Sequence, residues 1–281
     1  MKAINLIIPS SILENSNNLL EKTLKIGQIA RIAAIFKISK IVLLITKTKQ
    51  DLQLNFIKKI LEYLNTPQYL RKRKFPLDKE LKHVGMLPPL ATYLHHLSNK
   101  EDKLKNGEYR EGFSINHGKR WIEVDIGIER PIKIEVNIEK MPTEKIYVKI
   151  SKIENKIHYS LISKEDIQDY GGYEVEISTL TDLLKFKKNT LFLGTSKKGL
   201  LIYDISEKLK NEIAEINEIS LIFGSAKLDI FKLFSHYNIN IEKNIPYIIN
   251  FLPDQGVRTI RTEEAISIVL ASLNLLMNKI E

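Results

Sequence analysis

The chain has 281 residues, of which 43% are hydrophobic and 27% charged, as expected for a folded protein of one large or two modest domains and not for a disordered chain. Its formal net charge of +9 favours a polyanionic partner such as nucleic acid, although a lysine-rich surface alone would give the same total. The lack of cysteine in the sequence excludes disulfides, cysteine-ligated zinc and thiolate catalysis. Because the sequence shows no signal peptide and no run of roughly 20 apolar residues, we expect a cytoplasmic protein.

The N-terminal part alternates apolar strands with helices of period 3.6. We predict strands over residues 4–9 and 41–45, a helix that runs to about residue 36, and a second helix over 52–64. Ser16 or Asn17 is the expected cap of the first helix, because short polar side chains accept hydrogen bonds from the first helical amides. This strand–helix–strand–helix order predicts a parallel sheet.

Between about residues 108 and 161 the pattern changes to short runs of alternating polar and apolar residues. Runs over 121–126, 132–136 and 145–150 are separated by turn residues, which is typical of antiparallel strands. About 70 residues of small all-β structure therefore interrupt the α/β domain, and a five-stranded barrel of the OB type fits their length. For the only tryptophan, Trp121, we favour a place in the barrel core over a stacking role.

After Gly172 the α/β pattern resumes. We predict strands over 173–177, 190–193, 220–223 and 247–252 and helices over 180–186 and 262–280. Polar or glycine-containing loops follow the last three strands, over 194–199, 224–227 and 250–262. Each loop alone could be an ordinary turn. The carboxyl ends of parallel strands share one edge of a sheet, however, so the loops together favour a site that an adenosine-sized ligand can enter.

The first of these loops has the glycine spacing of a P-loop, but Leu200 and Leu201 stand where lysine and serine or threonine should be, so a P-loop does not fit. The last loop is followed by a helix start. Thr262 is its expected N-cap, and Glu263 and Glu264 suit the positive end of the helix dipole. A strand, a charged loop and a helix start in succession are typical of small-ligand sites in α/β proteins.

Several motifs match one known family. They are Gly27–Phe36 (GQIARIAAIF), Tyr63–Lys72 (YLNTPQYLRK), Gly194-Thr195-Ser196 and Gly256–Ala265, together with His95-His96 and Arg110-Glu111-Gly112. With these motifs the chain resembles the SPOUT superfamily of RNA methyltransferases, in particular the archaeal and eukaryotic branch of RNA uridine-N3 methyltransferases with an OB-like insert. The resemblance covers nearly the whole chain, and the motifs occur in the same order.

The resemblance implies an α/β fold in which a parallel sheet, flanked by helices, carries a trefoil knot in the C-terminal half. The methyltransferase domain would comprise residues 1–92 and 166–281, and the OB-like RNA-binding insert residues 93–165. It further implies S-adenosylmethionine as cofactor, ribosomal RNA as substrate and a homodimer. The alternative is a non-catalytic RNA-binding or ribosome-assembly protein that retains the knot fold.

The resemblance also assigns the cofactor site. The expected cofactor-binding residues are Lys198, Gly224, Asn250 and Phe251, with Gly194, Thr195 and Gly256 lining the same pocket. The sequence departs from the family at two of these positions. Relatives often have arginine at the position of Lys198. The lysine of this chain keeps the positive charge but lacks the bidentate hydrogen-bonding geometry of a guanidinium. They often have a small polar residue in place of Phe251.

Methylation at uridine N3 requires loss of a proton and stabilisation of the negative charge that develops. Arg258 and Arg261 are the first candidates for orienting the substrate and stabilising that charge. Glu264 is a candidate carboxylate beside Glu263, although both fit equally well as acids at a helix start. For Arg31, which lies on an otherwise apolar helix face, we favour a substrate or phosphate role over a structural ion pair.

Two surfaces are candidates for RNA binding. The first is the basic run, defined as Arg71, Lys72, Arg73 and Lys74, which stands between Tyr69 and Phe75 and offers phosphate contacts beside stacking faces. The second is Lys119 and Arg120 in the insert. A solvated charge run is the alternative for the first surface. His95 and His96 are adjacent, so on a helix they would point apart, and we expect no metal.

Overall fold

The computed structural model describes residues 2–46, 49–136, 145–154, 156–185, 189–225 and 227–278. The chain divides into two compact units, the first made of residues 1–62, 80–88 and 173–281 and the second of residues 63–79 and 89–172. The domain boundaries predicted above stay a prediction. In the structure, residues 63–79, which hold the basic run, belong to the second unit and not to the one with the C-terminal loops.

The predicted strands and helices are present, and helices over residues 68–74, 202–215 and 230–236 are further elements that the sequence analysis did not predict. In chain order the elements are β1 (Ala3–Pro9), α1 (Leu19–Ile35), β2 (Lys40–Leu44), α2 (Leu54–Asn65), α3 (Gln68–Lys74), β3 (Tyr109–His117), β4 (Trp121–Asp125), β5 (Ile132–Glu135), β6 (Ile146–Ile153), β7 (Lys156–Ile162), β8 (Glu174–Ser178), α4 (Leu180–Lys185), β9 (Thr190–Leu201), α5 (Ile202–Glu215), β10 (Glu218–Ile222), α6 (Ile230–His236), β11 (Tyr247–Asn250) and α7 (Thr262–Asn278). The predicted helix ends at Phe186 and Ile280 lie outside the described residues.

The first unit contains a parallel sheet with strand order β11-β9-β10-β1-β2-β8. Its central strands are almost wholly apolar and buried, as is usual when helices cover both faces of a parallel sheet. The predicted parallel sheet flanked by helices is thereby confirmed. The cap of α1 differs from the prediction: Asn18, and neither Ser16 nor Asn17, accepts the hydrogen bond from the Glu21 amide at 2.9 Å.

Strand β9 is longer than the sequence predicts, because the supposed loop over 194–199 belongs to it. Gly194 pairs with Ile248, and Leu200 pairs with the next residue, Ile249, so residues 195–199 bulge out of the ladder. Gly199 permits this close return. A Cβ atom there would lie 2.4 Å from the Ile248 carbonyl oxygen, which is closer than any side chain can approach a backbone atom.

The second unit contains an antiparallel sheet with strand order β5-β4-β3-β6-β7. The edge strands β5 and β7 approach each other, so the sheet is nearly closed and barrel-like. Its interior is apolar and consists of Leu104, Ile122, Val124, Ile126, Ile132, Ile134, Ile146, Val148 and Ile150. The predicted all-β character of this region is confirmed.

The prediction for the single tryptophan is wrong. Along β4 the buried side chains are Ile122 and Val124. Because side chains alternate along a strand, Trp121 points to the opposite, outward face. The Nζ atom of Lys133, on the neighbouring strand β5, lies 4.8 Å from the centroid of the indole.

Candidate functional site

The polar ends of β9, β10 and β11 and the start of α7 enclose a cavity of about 460 Å³. Its wall is formed by residues 195–198 of the β9 bulge, residues 223–225, residues 249–252 and the first turns of α7. All of these belong to the first unit. The volume is within the range of roughly 300–1,000 Å³ that is usual for sites of small molecules and cofactors.

The structure brings together most of the expected cofactor residues. Thr195, Lys198, Gly224, Asn250 and Phe251 line the cavity, whereas Gly194 and Gly256 are not among its described lining residues. Gly194 instead packs beneath the wall, where an added Cβ would lie 2.5 Å from Cδ1 of Ile230. At Gly256 an added Cβ would meet no atom within 4 Å, so that position does not require glycine for steric reasons.

Asn250 holds the wall of the cavity together. The residue is 8% exposed. The amide nitrogen donates to the carbonyl of Lys197 at 3.1 Å, and the amide oxygen accepts from the Leu252 backbone at 3.0 Å. Both polar ends of this side chain are therefore engaged with the backbone, which gives Asn250 a positioning role.

Two threonines tie the loops around the cavity. Thr195 donates from Oγ1 to the carbonyl of Ile222 at 3.1 Å, and Thr262 donates to the carbonyl of Gly224 at 3.1 Å. The expected role of Thr262 as N-cap is wrong, because it is the first residue of α7. Gly224 is required by close backbone approach, since a Cβ atom would lie 2.9 Å from the Leu228 carbonyl oxygen.

The catalytic candidates occupy different positions. Arg258 lines the cavity, whereas Arg261, Glu264 and Arg31 are not among its described lining residues. Arg31 is half-buried on α1. Exposed Glu264 accepts the backbone N–H of Arg261 at 2.8 Å, which is the helix-start role that the sequence left open for it.

The backbone at Arg258 is fixed from two sides. Its carbonyl oxygen accepts from Nζ of Lys197 at 3.3 Å and from Nε2 of Gln255 at 3.2 Å. These contacts join the loop after β11 to the β9 bulge. The exposed side chains of Lys198 and Arg258 add positive charge at the cavity.

Sequence reasoning missed Lys197, Gln255 and Asp229, which also line the cavity. Asp229 caps α6 by accepting the Lys232 amide at 2.8 Å. Its position directly before an apolar helical run is a capping signal that could have identified it. Among the described lining residues it is the one carboxylate.

Glu263 is not among the described residues that line the cavity. Its side chain is 5% exposed, and its Oε2 atom lies 3.4 Å from Nζ of Lys25 on α1. The pair is a charge contact rather than a well-formed hydrogen bond. The contact between Lys25 and Glu263 joins helix α1 to helix α7.

The basic run lies on the short helix α3 of the second unit and is largely engaged there. Arg71 donates to the carbonyls of Thr66 and Leu64 at 2.9 and 3.1 Å. Arg73 binds Asp125 at 2.6 Å, and Lys74 pairs with the buried carboxylate of Glu111. Lys72 is exposed. The other candidate pair, Lys119 and Arg120, is exposed in the turn between β3 and β4.

His95 and His96 support the second unit from an irregular segment. Nε2 of His95 lies 3.2 Å from the Leu64 carbonyl, and Nε2 of His96 lies 2.7 Å from the Tyr109 carbonyl. Burial lowers the pKa of each imidazole below its usual value. In the parts of the chain that the structure describes, the side chains form no cluster of three or more metal ligands, and none of the described helices could span a membrane.

Comparison with known proteins gives the family. A family model described as "Putative RNA methyltransferase" matches residues 3–273. The 28S rRNA (uridine-N(3))-methyltransferase of Drosophila melanogaster is 29% identical over 96% of this chain, which spans 61% of that relative's length. The Homo sapiens protein of the same name is 29% identical over 96% of this chain and 77% of its own length. An uncharacterized protein of Halobacterium salinarum is 25% identical over 96% of this chain and 98% of its own length. Since the family model covers nearly the whole chain, the protein belongs to this family of RNA methyltransferases.

Proposed function

We propose that the protein transfers a methyl group from S-adenosylmethionine to N3 of a uridine in ribosomal RNA. The observation that carries the proposal is the cavity at the ends of β9, β10 and β11, in a chain that belongs to an RNA methyltransferase family. The choice of N3 and of ribosomal RNA follows the names of the Drosophila and human relatives.

The lining residues fit an adenosine cofactor with an amino-acid end. Phe223, Ile249 and Val269 supply an apolar wall for a purine. Lys197 and Lys198 supply cations for a carboxylate. The backbone at Gly224 can come close to the ligand because no side chain intervenes. When bound, S-adenosylmethionine supplies a methyl group on a sulfonium, which is activated for direct displacement.

The protein's own contribution is positioning and charge. Arg258 lines the cavity on a loop whose backbone Lys197 and Gln255 hold in place. Its guanidinium would stabilise the negative charge that develops on a uridine ring as N3 loses its proton. Because the loop is fixed before the substrate arrives, this stabilisation requires little reorganisation. Arg261 and Arg31 would then contact RNA outside the cavity.

We also propose the trefoil knot of the SPOUT fold and a homodimer. Support for the dimer comes from the helices α1 and α7, which pack against each other. They leave large apolar side chains in water, with Leu24 44%, Ile35 57% and Leu275 67% exposed. Such side chains are expected at an interface between copies. A ribosomal RNA substrate is consistent with the cytoplasmic location expected from the sequence.

The deciding experiment is transfer of a labelled methyl group to total RNA from cells that lack this gene, followed by nucleoside analysis. Label in 3-methyluridine supports the proposal, and label in another nucleoside overturns the choice of acceptor. If cofactor binds but no RNA is labelled, including RNA in isolated ribosomal particles, a non-catalytic RNA-binding or assembly role replaces the enzyme. Gly224→Val is the matched inactive control, because its side chain would collide with the Leu228–Asp229 backbone.

A further inference from the structure

We propose that the outward face of strands β4 and β5 binds single-stranded RNA, with Trp121 as a stacking platform and with Lys119, Arg120 and Lys133 as phosphate contacts. The choice of RNA as partner rests on the proposed function. The surface itself lies in the second unit and takes no part in methyl transfer, so the two proposals can fail separately.

The first observation is the placement of Trp121. The strand puts Ile122 and Val124 into the barrel-like core and leaves the indole half-buried on the outside. The turn before it holds the ring in place: a Cβ atom at Gly118 would lie 2.3 Å from the indole Nε1. The tryptophan is thus presented at the surface on a fixed support. A single exposed aromatic residue would mean little alone, and its surroundings decide the case.

One cation lies over this ring, and two more lie in the turn that leads into it. Lys119 and Arg120 are exposed in the turn that leads into Trp121. Lys133, also exposed, places its Nζ 4.8 Å from the ring centroid. An aromatic face among flexible cations suits a nucleotide, whose base stacks while its phosphate is neutralised.

The acidic side chains on this face determine the path that the RNA backbone can take. Glu135 lies directly opposite Trp121 on β5, and Glu123 lies opposite Lys133. These carboxylates would repel phosphates that lie over β4 and β5 alone, so we expect the RNA backbone to follow the turn with Lys119 and Arg120 and to be met there by Lys133 from its place at the Trp121 ring. Neutralising Glu135 should therefore strengthen binding.

The contact between Lys133 and Trp121 is exchangeable. An exposed cation–π contact is weaker than stacking of a base on an aromatic side chain. An incoming base would therefore displace the ammonium from the ring and free it for a phosphate. Unpaired bases offer a free π-face and paired ones do not, so the surface selects single strands. In chain order β4 and β5 are the second and third of the five strands that form this sheet, and the same two strands bind oligonucleotides in five-stranded OB barrels.

The chain's only tryptophan makes the test direct, because tryptophan fluorescence, excited selectively over that of tyrosine, reports on Trp121 alone. The full chain is titrated, without cofactor, with single-stranded oligouridylate of about 12 nucleotides, at low and at high salt. We expect saturable quenching that weakens with salt and is much smaller with duplex RNA of the same length. RNA binding by anisotropy without quenching overturns the proposal, and so does a lack of any binding.

Variants separate stacking from folding. Trp121→Leu should lower affinity for labelled oligouridylate about tenfold, whereas Trp121→Phe should keep it within about threefold because a ring remains. Tyr93→Leu is the matched control, since Tyr93 is an aromatic residue of the same unit that is 40% exposed. Equal losses in Trp121→Leu and Tyr93→Leu would contradict the assignment.

Charge variants test the phosphate contacts in the same assay. Reversal of both Lys119 and Arg120 to glutamate should flatten the dependence of affinity on salt. Lys103→Glu, at an exposed lysine outside strands β4 and β5, should change it little. An unchanged salt dependence in the double variant would show that these two residues make no phosphate contacts and would overturn their part of the proposal. Methyl transfer can be lost or kept independently of these results.

Discussion

The side-chain amide of Asn250 donates a hydrogen bond to the backbone carbonyl of Lys197 at 3.1 Å. This contact joins the end of β11 to the bulge of β9, two segments that are distant in the sequence. The same side chain accepts the Leu252 amide at 3.0 Å. One buried residue therefore determines how two walls of the cavity meet.

Loss of the hydrogen bond between Asn250 and Lys197 should affect the cavity more than the rest of the fold. We expect Asn250→Ala to weaken S-adenosylmethionine binding at least tenfold and to lower the free energy of unfolding by about 1 kcal/mol, because two part-buried backbone groups lose their partner. Calorimetry and urea denaturation measure the two quantities. The matched control is Asn211→Ala at an exposed position of α5, where little change is expected. Unchanged cofactor affinity in Asn250→Ala would contradict the positioning role.

Gly199 and Gly256 make a second matched pair. Gly199→Ala forces a Cβ to within 2.4 Å of the Ile248 carbonyl oxygen, so the return of β9 to the sheet must distort. We expect a loss of about 1–3 kcal/mol in unfolding free energy together with weaker cofactor binding. Gly256→Ala adds a methyl group to open space and should leave both quantities nearly unchanged. Equal behaviour of the two variants would argue against the β9 bulge as a wall of the site.

Arg258 and Arg261 should differ although only two residues separate them. Arg258 lines the cavity, so we expect Arg258→Gln to lower kcat by about 10²–10³ when charge stabilisation is lost. The observed contact of Arg261 uses its backbone N–H, which Arg261→Gln keeps, and a much smaller effect should follow. Single-turnover methyl transfer with saturating cofactor measures both. A larger loss in Arg261→Gln would move the reacting base toward the start of α7.

Lys72 and Lys74 should also behave differently. Lys72→Glu changes an exposed residue and should weaken RNA binding and reduce its salt slope by about 0.7 for each lost phosphate contact. Lys74→Ala leaves the buried carboxylate of Glu111 without its partner, so we expect a loss of about 3 kcal/mol in unfolding free energy. Filter binding at several salt concentrations and thermal unfolding separate the outcomes. If Lys72→Glu binds RNA with an unchanged salt slope, the basic run is only a structural element of its unit.

The buried histidines predict a dependence of stability on pH. Burial lowers the pKa of His95 and His96 in the folded chain, so the unfolded chain binds protons more readily. The contribution of these histidines to the free energy of unfolding is therefore fully present above the unfolded pKa of about 6.5, and it is lost as the pH falls from there through the lower pKa of the folded chain. Urea midpoints at pH 7.5 and 5.5 should show this loss, and His95→Gln with His96→Gln should reduce it. An equal acid sensitivity in the double variant would assign the effect to carboxylates.

The sequence alone determined the class of fold and the region of the site. Apolar period 3.6 over α1 and period 2 over β4 are local properties, and the chain can satisfy each with one secondary structure. The three polar segments at 194–199, 224–227 and 250–262 likewise had to meet at one edge once the sheet was parallel.

The tertiary structure decided which side chains of these segments remain available for a ligand. Asn250, Arg71 and Lys74 look like ligand groups in the sequence, but their partners lie on other elements, and only folding brings them into contact. Trp121 shares its face of β4 with Glu123 and Asp125, so the alternation itself favours an outward indole, and only the size and apolar character of the ring argued for the core. Long-range packing chose Ile122 and Val124 for the interior and left the indole outside.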